Sequence, residues 1–352
     1  MFDTLIIGAG QAGLAAGYML QKAGLNFALL EAGSSPTGSW PHYYESLTLF
    51  SPARFSSLPG LPFPGQPERY PRRDEVIAYL RSYAYQFHLP VHFQSRVERV
   101  QRVGQHFRVE TTAGTGYEAL SIIAATGPFQ HPYLPQFPGQ HLFKGQLLHA
   151  SVYQRPEPFQ GKRVLVVGAG ESALQIAIEL ATVAQVTIAS RAPLHFRPQR
   201  VLGRDIHFWA WLTGLDRFPL STFWERHAPT AVIDTGRYQP AFTERKLERR
   251  IVFDRFTAKG VVWEDGKEEP IDCVIFATGY RHQLGFLADL GALNADGQAV
   301  QKMGVSLTTP GLYYLGLEFQ RTFASATLRG VGPDTLALMK PLQRYLQTAR
   351  SS

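Results

Sequence analysis

Three glycines, Gly8, Gly10 and Gly13, stand in G-x-G-x-x-G spacing directly after a short apolar run, and a helical pattern follows them. A turn without side chains lets backbone amides approach an anion closely, and the positive end of the next helix adds to the attraction. That chemistry suits a pyrophosphate, with Gln11 beside it at the head of the helix. Eighteen residues after Gly13 comes Glu31, placed where a carboxylate can accept hydrogen bonds from both hydroxyls of an adenosine ribose. The glycine spacing alone is weak; strand, helix and acid together point to a dinucleotide.

The arrangement occurs twice. TLIIGAGQAG at residues 4–13 is echoed by VLVVGAGESA at 164–173, and SIIAATG at 121–127 by CVIFATG at 273–279. In the second turn the fixed positions are Gly168, Gly170 and Ala173, with Glu171 and Ser172 opening the helix. The counterpart of Glu31 is Arg191, preceded by Ser190. A carboxylate would repel a ribose 2′-phosphate, whereas a guanidinium and a hydroxyl bind one through charge-assisted hydrogen bonds. The first site therefore reads as FAD and the second as NADPH, with NADH a weaker substitute. The alternative for Arg191 is a solvated loop arginine. Thr126 and Gly127 close the last strand of the first unit at its cofactor, and Thr278 and Gly279 do the same in the second. Flavin would carry the redox chemistry.

These residues need parallel strands to hold them. Helical patterns at 14–23 and 174–184, followed by strands at 26–30 and 185–189, make two βαβ units. The fold class expected is α/β, with two Rossmann-like dinucleotide-binding domains and the second inserted into the first. Residues 1–160 and 281–352 form the FAD-binding domain and 161–280 the NADPH-binding domain. The crossing lies at 153–162, where Pro156 and Pro158 favour extended chain. Residues 192–250 fit neither unit and read as an irregular insertion of short helices and loops. The last seventy residues, including FQRTFASATLRGVG at 319–332, return to the first domain.

Composition narrows the alternatives. With 352 residues, 45% apolar and 18% charged, the chain is an ordinary globular protein of two domains, which excludes disorder. Its one cysteine, Cys273, excludes an internal disulfide or a Cys-x-x-Cys redox pair and reads as a buried, inert thiol. The net charge of +7 favours an anionic partner. Arg197, Arg200 and Arg204 read as a solvated face with phosphate contacts rather than a nucleic-acid surface. His88 and His92 flank a Leu-Pro break, so no helical pair of metal ligands is expected. Residues 4–20 are uncharged, but glycines interrupt them and Asp3 replaces a basic leader, so an unprocessed cytoplasmic protein without stable membrane insertion is expected. Trp209, Trp211 and Trp224, with Phe208, Phe218 and Phe223, could pack the insertion, line a substrate entrance or touch a membrane. The oligomeric state stays open, with a homodimer admitted.

Between the two units, FKGQLLHASVY at 143–153 matches F-x-G-x-x-x-H-x-x-x-Y. This resembles the identifying sequence of the bacterial flavin-containing monooxygenases, members of the class B flavoprotein monooxygenases. The resemblance continues through GSW at 38–40, LFSPARFSSLPG at 49–60, ATG at 125–127, GAGESA at 168–173 and ATGY at 277–280. It implies that NADPH reduces FAD, that oxygen adds at flavin C4a, and that the hydroperoxide passes one oxygen atom to sulfur or nitrogen of a small molecule. Gly38, Ser39 and Trp40 would line the FAD. His149 would lie near the nicotinamide, unless it is a loop histidine satisfying a backbone group. Tyr153 stands where the related Baeyer–Villiger enzymes usually carry tryptophan, which favours soft heteroatoms. One departure matters: the family's flavin-side asparagine is missing. Only Asn26 and Asn294 occur, so Phe50 or Ser51 takes that place on the flavin face. The alternative is an NADPH oxidase or reductase of the same fold that passes electrons to oxygen, quinone or another acceptor.

Overall fold

The computed structural model describes residues 1–129, 131–216, 218–219, 231–234, 236, 238–244 and 247–351. The chain opens with β1 (Phe2–Ile7), α1 (Gln11–Lys22) and β2 (Phe27–Leu30), then α2 (Arg73–Gln86), β3 (Val91–His92), β4 (Val97–Val103), β5 (His106–Thr111) and β6 (Gly116–Ala124). Next come β7 (Gln146–His149), β8 (Arg163–Val167), α3 (Glu171–Leu180) and β9 (Gln185–Ser190). The insertion holds β10 (His195–Pro198), β11 (Arg200–Val201), β12 (Arg204–Asp205), α4 (Ile206–Leu212), β13 (Ala231–Asp234) and α5 (Tyr238–Thr243). The chain continues with β14 (Glu248–Ile251), β15 (Arg255–Phe256), β16 (Gly260–Val262), β17 (Glu268–Pro270) and β18 (Cys273–Phe276), and ends with β19 (Gln301–Lys302), β20 (Val305–Ser306), β21 (Leu312–Tyr314) and α6 (Leu328–Ser351).

Two large sheets carry most of this order, with β10-β13, β11-β12 and β15-β16-β17 forming small sheets of their own. The first runs β19-β20-β21-β6-β1-β2-β3, with β4 and β5 attached beside β6. Its centre is parallel, with Thr4 opposite Phe27 on one side of β1 and Ser121 on the other. The second, β14-β9-β8-β18-β7, is parallel throughout. Strands buried on both faces read as continuous apolar runs, and residues 5–7 and 164–167 do so, all nearly inaccessible. Cys273 begins β18 at 0% exposure, and burial pushes its thiol up to about 12, as an inert core thiol requires.

Helix α1 lies close to its sheet because its inner face is small: Ala12, Ala15, Ala16 and Gly17 are buried. A Cβ on Gly17 would touch Leu29 and Phe27 at 3.3 Å. Helix α6 covers α1 from outside, sharing a core of Leu14, Val331, Leu342 and Leu346. The chain thus returns to the first sheet after β18, through β21 beside β6 and α6 upon α1. One strand falls on the other side of the expected division. β7 lies before residue 161, yet it pairs with β18, Gln146 opposite Cys273. No helix among the described residues is long and apolar enough to cross a membrane.

Candidate active site

Both glycine turns sit at the carboxyl ends of the central strands β1 and β8, where open α/β sheets bind ligands. In the first, Gly8 holds φ +102° and a Cβ there would lie 2.6 Å from the Ala125 carbonyl oxygen. A Cβ on Gly13 would lie 1.9 Å from the Gly8 oxygen, so α1 can begin this close to β1 only with glycine. Gly38 faces Gly10 across a narrow gap; its Cβ would meet the Gly10 Cα at 2.9 Å. Glu31, 9% exposed, accepts from the Ala9 and Gly33 amides, each at 2.8 Å. Its carboxylate is fixed at the lip of the turn, and its other lone pairs are available for ribose hydroxyls. Gln11 bridges, donating to the Ala326 carbonyl at 2.6 Å and accepting from the Trp40 indole at 3.1 Å. Ser39 caps the short turn that carries Trp40, and Thr126 and Gly127 follow β6 beside Gly8. The backbone and acid present fit a dinucleotide with an unphosphorylated adenosine ribose, as FAD has.

The second turn repeats this with different ribose chemistry. A Cβ on Gly168 would lie 2.4 Å from the Ala277 oxygen, while the space at Gly170 is open. Ala173, fully buried, takes the third position. The Glu171 side chain turns to the insertion, accepting from the Ile233 amide at 3.1 Å and the Tyr238 hydroxyl at 2.8 Å. Burial raises its pKa against those bonds. Ser172 lies beside Tyr44. At the end of β9, Arg191 is exposed. Ser190 Oγ donates to the Ala192 carbonyl at 2.9 Å and accepts from Arg249 Nε at 3.1 Å, so the serine aims a second guanidinium. Arg249 Nη2 is buried without a hydrogen-bond partner. An orphaned guanidinium nitrogen beside Ser190 and Arg191 fits a phosphate. The sequence hid Arg249, because only the pairing of β14 with β9, Ile251 opposite Ser190, brings it there.

The linker joins the two turns. His149 Nε2 donates to the Gly279 carbonyl at 3.0 Å, and Nδ1 accepts from the Ser151 amide at 3.0 Å. Burial lowers its pKa despite the bond to Gly279, so the ring is neutral with both nitrogens engaged. It holds β7 to the Thr278–Gly279 turn, whose threonine hydroxyl bonds the Tyr133 carbonyl. From Trp40 at the first turn, ring contacts run through Tyr43 (5.5 Å between centroids), Phe129 (4.3 Å) and Tyr280 (4.5 Å) to His149 (5.0 Å). The space between the turns therefore has an aromatic wall.

On the flavin-side segment, Phe50 is half-buried, and its carbonyl accepts from Gln199 of the insertion at 3.0 Å. Ser51 is buried and its hydroxyl pairs with Ser56 at 2.9 Å, so it is turned into the loop. In the insertion, Trp209 donates to the Val201 carbonyl at 2.9 Å, whereas Trp211 and Phe218 are about half exposed. Trp224 and Phe223 lie outside the described residues. The reading from sequence returned residues 319–332 to the first domain but gave them no part in the site; there Phe319 and Ala326 adopt left-handed backbone, φ +52° and +68°. Strain of this kind gathers at ligand sites, and Ala326 is the residue that Gln11 grips. A surface groove of about 450 Å³ near Arg163, Val186 and Pro270 opens at the amino-terminal edge of the second sheet, away from both turns.

The chain is similar to known proteins over most of its length. Residues 5–205 match the model of the pyridine nucleotide-disulphide oxidoreductase family. An oxidoreductase of Geobacillus kaustophilus, described as CzcO-like, is 33% identical over 97% of this chain and 99% of its own. Indole-3-pyruvate monooxygenase YUCCA1 of Oryza sativa subsp. japonica is 33% identical over 96% of this chain and 91% of its own. The solved flavin-containing monooxygenase of Stenotrophomonas maltophilia superimposes with a TM-score of 0.87 at 34% identity, covering 98% of each chain.

Proposed function

The chain belongs to the pyridine nucleotide-disulphide oxidoreductase family and is a flavin-dependent oxidoreductase of the flavin-containing monooxygenase kind; from that premise we propose an NADPH-dependent monooxygenase that oxygenates sulfur or nitrogen of small molecules. One observation supports the reading: the two glycine turns carry opposite chemistry at their ribose ends, Glu31 at the first and Arg191 with Arg249 at the second, and a run of ring contacts from Trp40 to His149 links them. FAD belongs to the domain made of the first sheet and α6, and NADPH to the domain built on the second sheet.

When bound, FAD supplies hydride acceptance and the activation of oxygen. The protein's own residues position and enclose. Gly8, Gly10 and Gly13 admit the FAD pyrophosphate to the α1 amides, and Glu31 takes the ribose hydroxyls. Gly168, Gly170 and the amides from Glu171 to Ala173 receive the NADPH pyrophosphate, while Arg191 and Arg249 bind its 2′-phosphate. His149 is a positioning residue: it holds the Gly279 turn and would thereby limit where a bound nicotinamide could sit. The rings from Trp40 to Tyr280 would shield groups held between the two turns from water.

The oxidase or reductase reading keeps one specific support: no asparagine lies on the flavin-side segment, and the Ser51 hydroxyl is already engaged. Turnover with thioanisole separates the two. The holoenzyme should form methyl phenyl sulfoxide in proportion to the NADPH it consumes. Hydrogen peroxide equal to the NADPH consumed, with no sulfoxide, would favour the oxidase.

A further inference from the structure

Where the 50–55 loop meets the insertion, Gln199, Asp205 and His207 are more than nine-tenths buried, at 4%, 2% and 2% exposure. Polar groups at that depth cost stability unless they are paired. Asp205 is fully paired. Its Oδ1 accepts from the His207 amide at 2.9 Å and His207 Nδ1 at 2.6 Å; its Oδ2 accepts from the Tyr70 hydroxyl and Gln199 Nε2, each at 2.6 Å. Burial works to raise the Asp205 pKa, but the bonds from His207, Tyr70 and Gln199 outweigh it and hold the carboxylate below its ordinary range. Arg200 approaches the same group by bonding Tyr70.

The ionised carboxylate fixes what its neighbours offer. In the neutral imidazole, an Nδ1 that donates to Asp205 leaves the lone pair on Nε2, and no described group donates to it. The ring cannot swing away, being stacked against Phe50 at 5.9 Å and Phe55 at 6.4 Å. The Gln199 amide is fixed too, because its nitrogen donates both to Asp205 and to the Phe50 carbonyl. A flip would set its oxygen against two acceptors. Gln199 Oε1 is therefore buried with no donor. The cluster ends in two unfilled acceptors beside aromatic rings of the flavin-side segment, with a full negative charge behind them.

We propose that Gln199, Asp205 and His207 form the polar anchor of the substrate pocket, and that it selects small apolar or aromatic amines that present an N–H to His207 Nε2. Asp205 is a positioning residue, setting the tautomer and the field that favour an electropositive donor. The location of the pocket rests on the monooxygenase reading; the test reads binding, so failure of oxygen transfer would not be mistaken for failure of this site.

Aniline, N-methylaniline and N,N-dimethylaniline share a ring and differ in their N–H count. Their dissociation constants for the FAD-loaded protein, from the perturbed flavin absorbance and from calorimetry, should rise in that order, with about a tenfold step on losing the last N–H. His207→Phe keeps a ring between Phe50 and Phe55 and should shrink that step below about twofold. Asp205→Asn keeps an oxygen toward the His207 amide and Nδ1 but removes the negative charge behind the ring, and should shrink the step with the imidazole still present. A cluster that only stiffens the seam would not change a preference for N–H. Retained FAD reports that each variant has folded, and the wild-type series decides alone if neither does. Equal affinities for the three anilines, no binding of any, or a step that survives in both variants would overturn the proposal.

Discussion

Glu31 and Arg191 occupy matching positions eighteen residues after their turns, and one side chain at each place sets which nucleotide is welcome. Glu31 already caps the Ala9 and Gly33 amides, so the glycine turn and the ribose acceptor are locked into one unit. Glu31→Ala removes a charged acceptor from that unit; hydrogen bonds to charged groups are worth about 1.5–3 kcal/mol, so FAD should bind about ten- to a hundredfold more weakly. Reconstitution of the apoprotein with FAD, followed by flavin fluorescence, checks this. These residues were legible because their chemistry depends on spacing along one βαβ unit. Arg249 was not, because it reaches Ser190 from a strand some sixty residues away that pairs only in the folded sheet. Ser190 was identified, but its hydroxyl serves Ala192 and Arg249, a geometry no motif encodes.

At the scale of elements, each turn works because a helix starts within contact distance of its strand. Gly13→Ala would place a methyl 1.9 Å from the Gly8 oxygen, too close for any rotamer to relieve. The start of α1 must shift, and we expect a loss of more than about 2 kcal/mol in stability together with bound FAD. Thermal unfolding and flavin content measure both. β7 depends on His149, whose pKa is lowered by burial. In the unfolded chain that imidazole takes up a proton near pH 6.5, while in the native protein it stays neutral to lower pH. Its contribution is therefore complete above about pH 6.5 and is lost as pH falls through the native pKa. His131 and His282 shift in the same direction. Melting temperature should fall as pH drops below about 6.5, and His149→Gln should flatten part of that slope. An unchanged slope would show that the ring's tie to Gly279 does not matter to folding. The strand itself escaped the sequence reading because QLLH is short and its partner Cys273 lies over a hundred residues on.

The whole molecule is built on two large sheets, one mixed with a parallel centre and one parallel throughout, and the repeated glycine and Ala-Thr-Gly signals mark the central strands of each. The insertion was seen only as irregular, since its strands are two to four residues long and β10 pairs with β13 across the intervening loop. The polar cluster on Asp205 draws Tyr70 from a segment 135 residues earlier, a contact that no local spacing reveals. A nucleotide held at Arg191 and Arg249 should reduce a flavin held at Glu31. Anaerobic rapid mixing of the FAD-loaded protein with NADPH or NADH, recording flavin bleaching against nucleotide concentration, is the decisive measurement. Bleaching should saturate at lower NADPH than NADH, with the Arg191→Ala, Arg249→Ala double variant raising the half-saturating NADPH concentration more than about tenfold and leaving that for NADH nearly unchanged. Absence of bleaching, or an equal loss for both nucleotides, would contradict it.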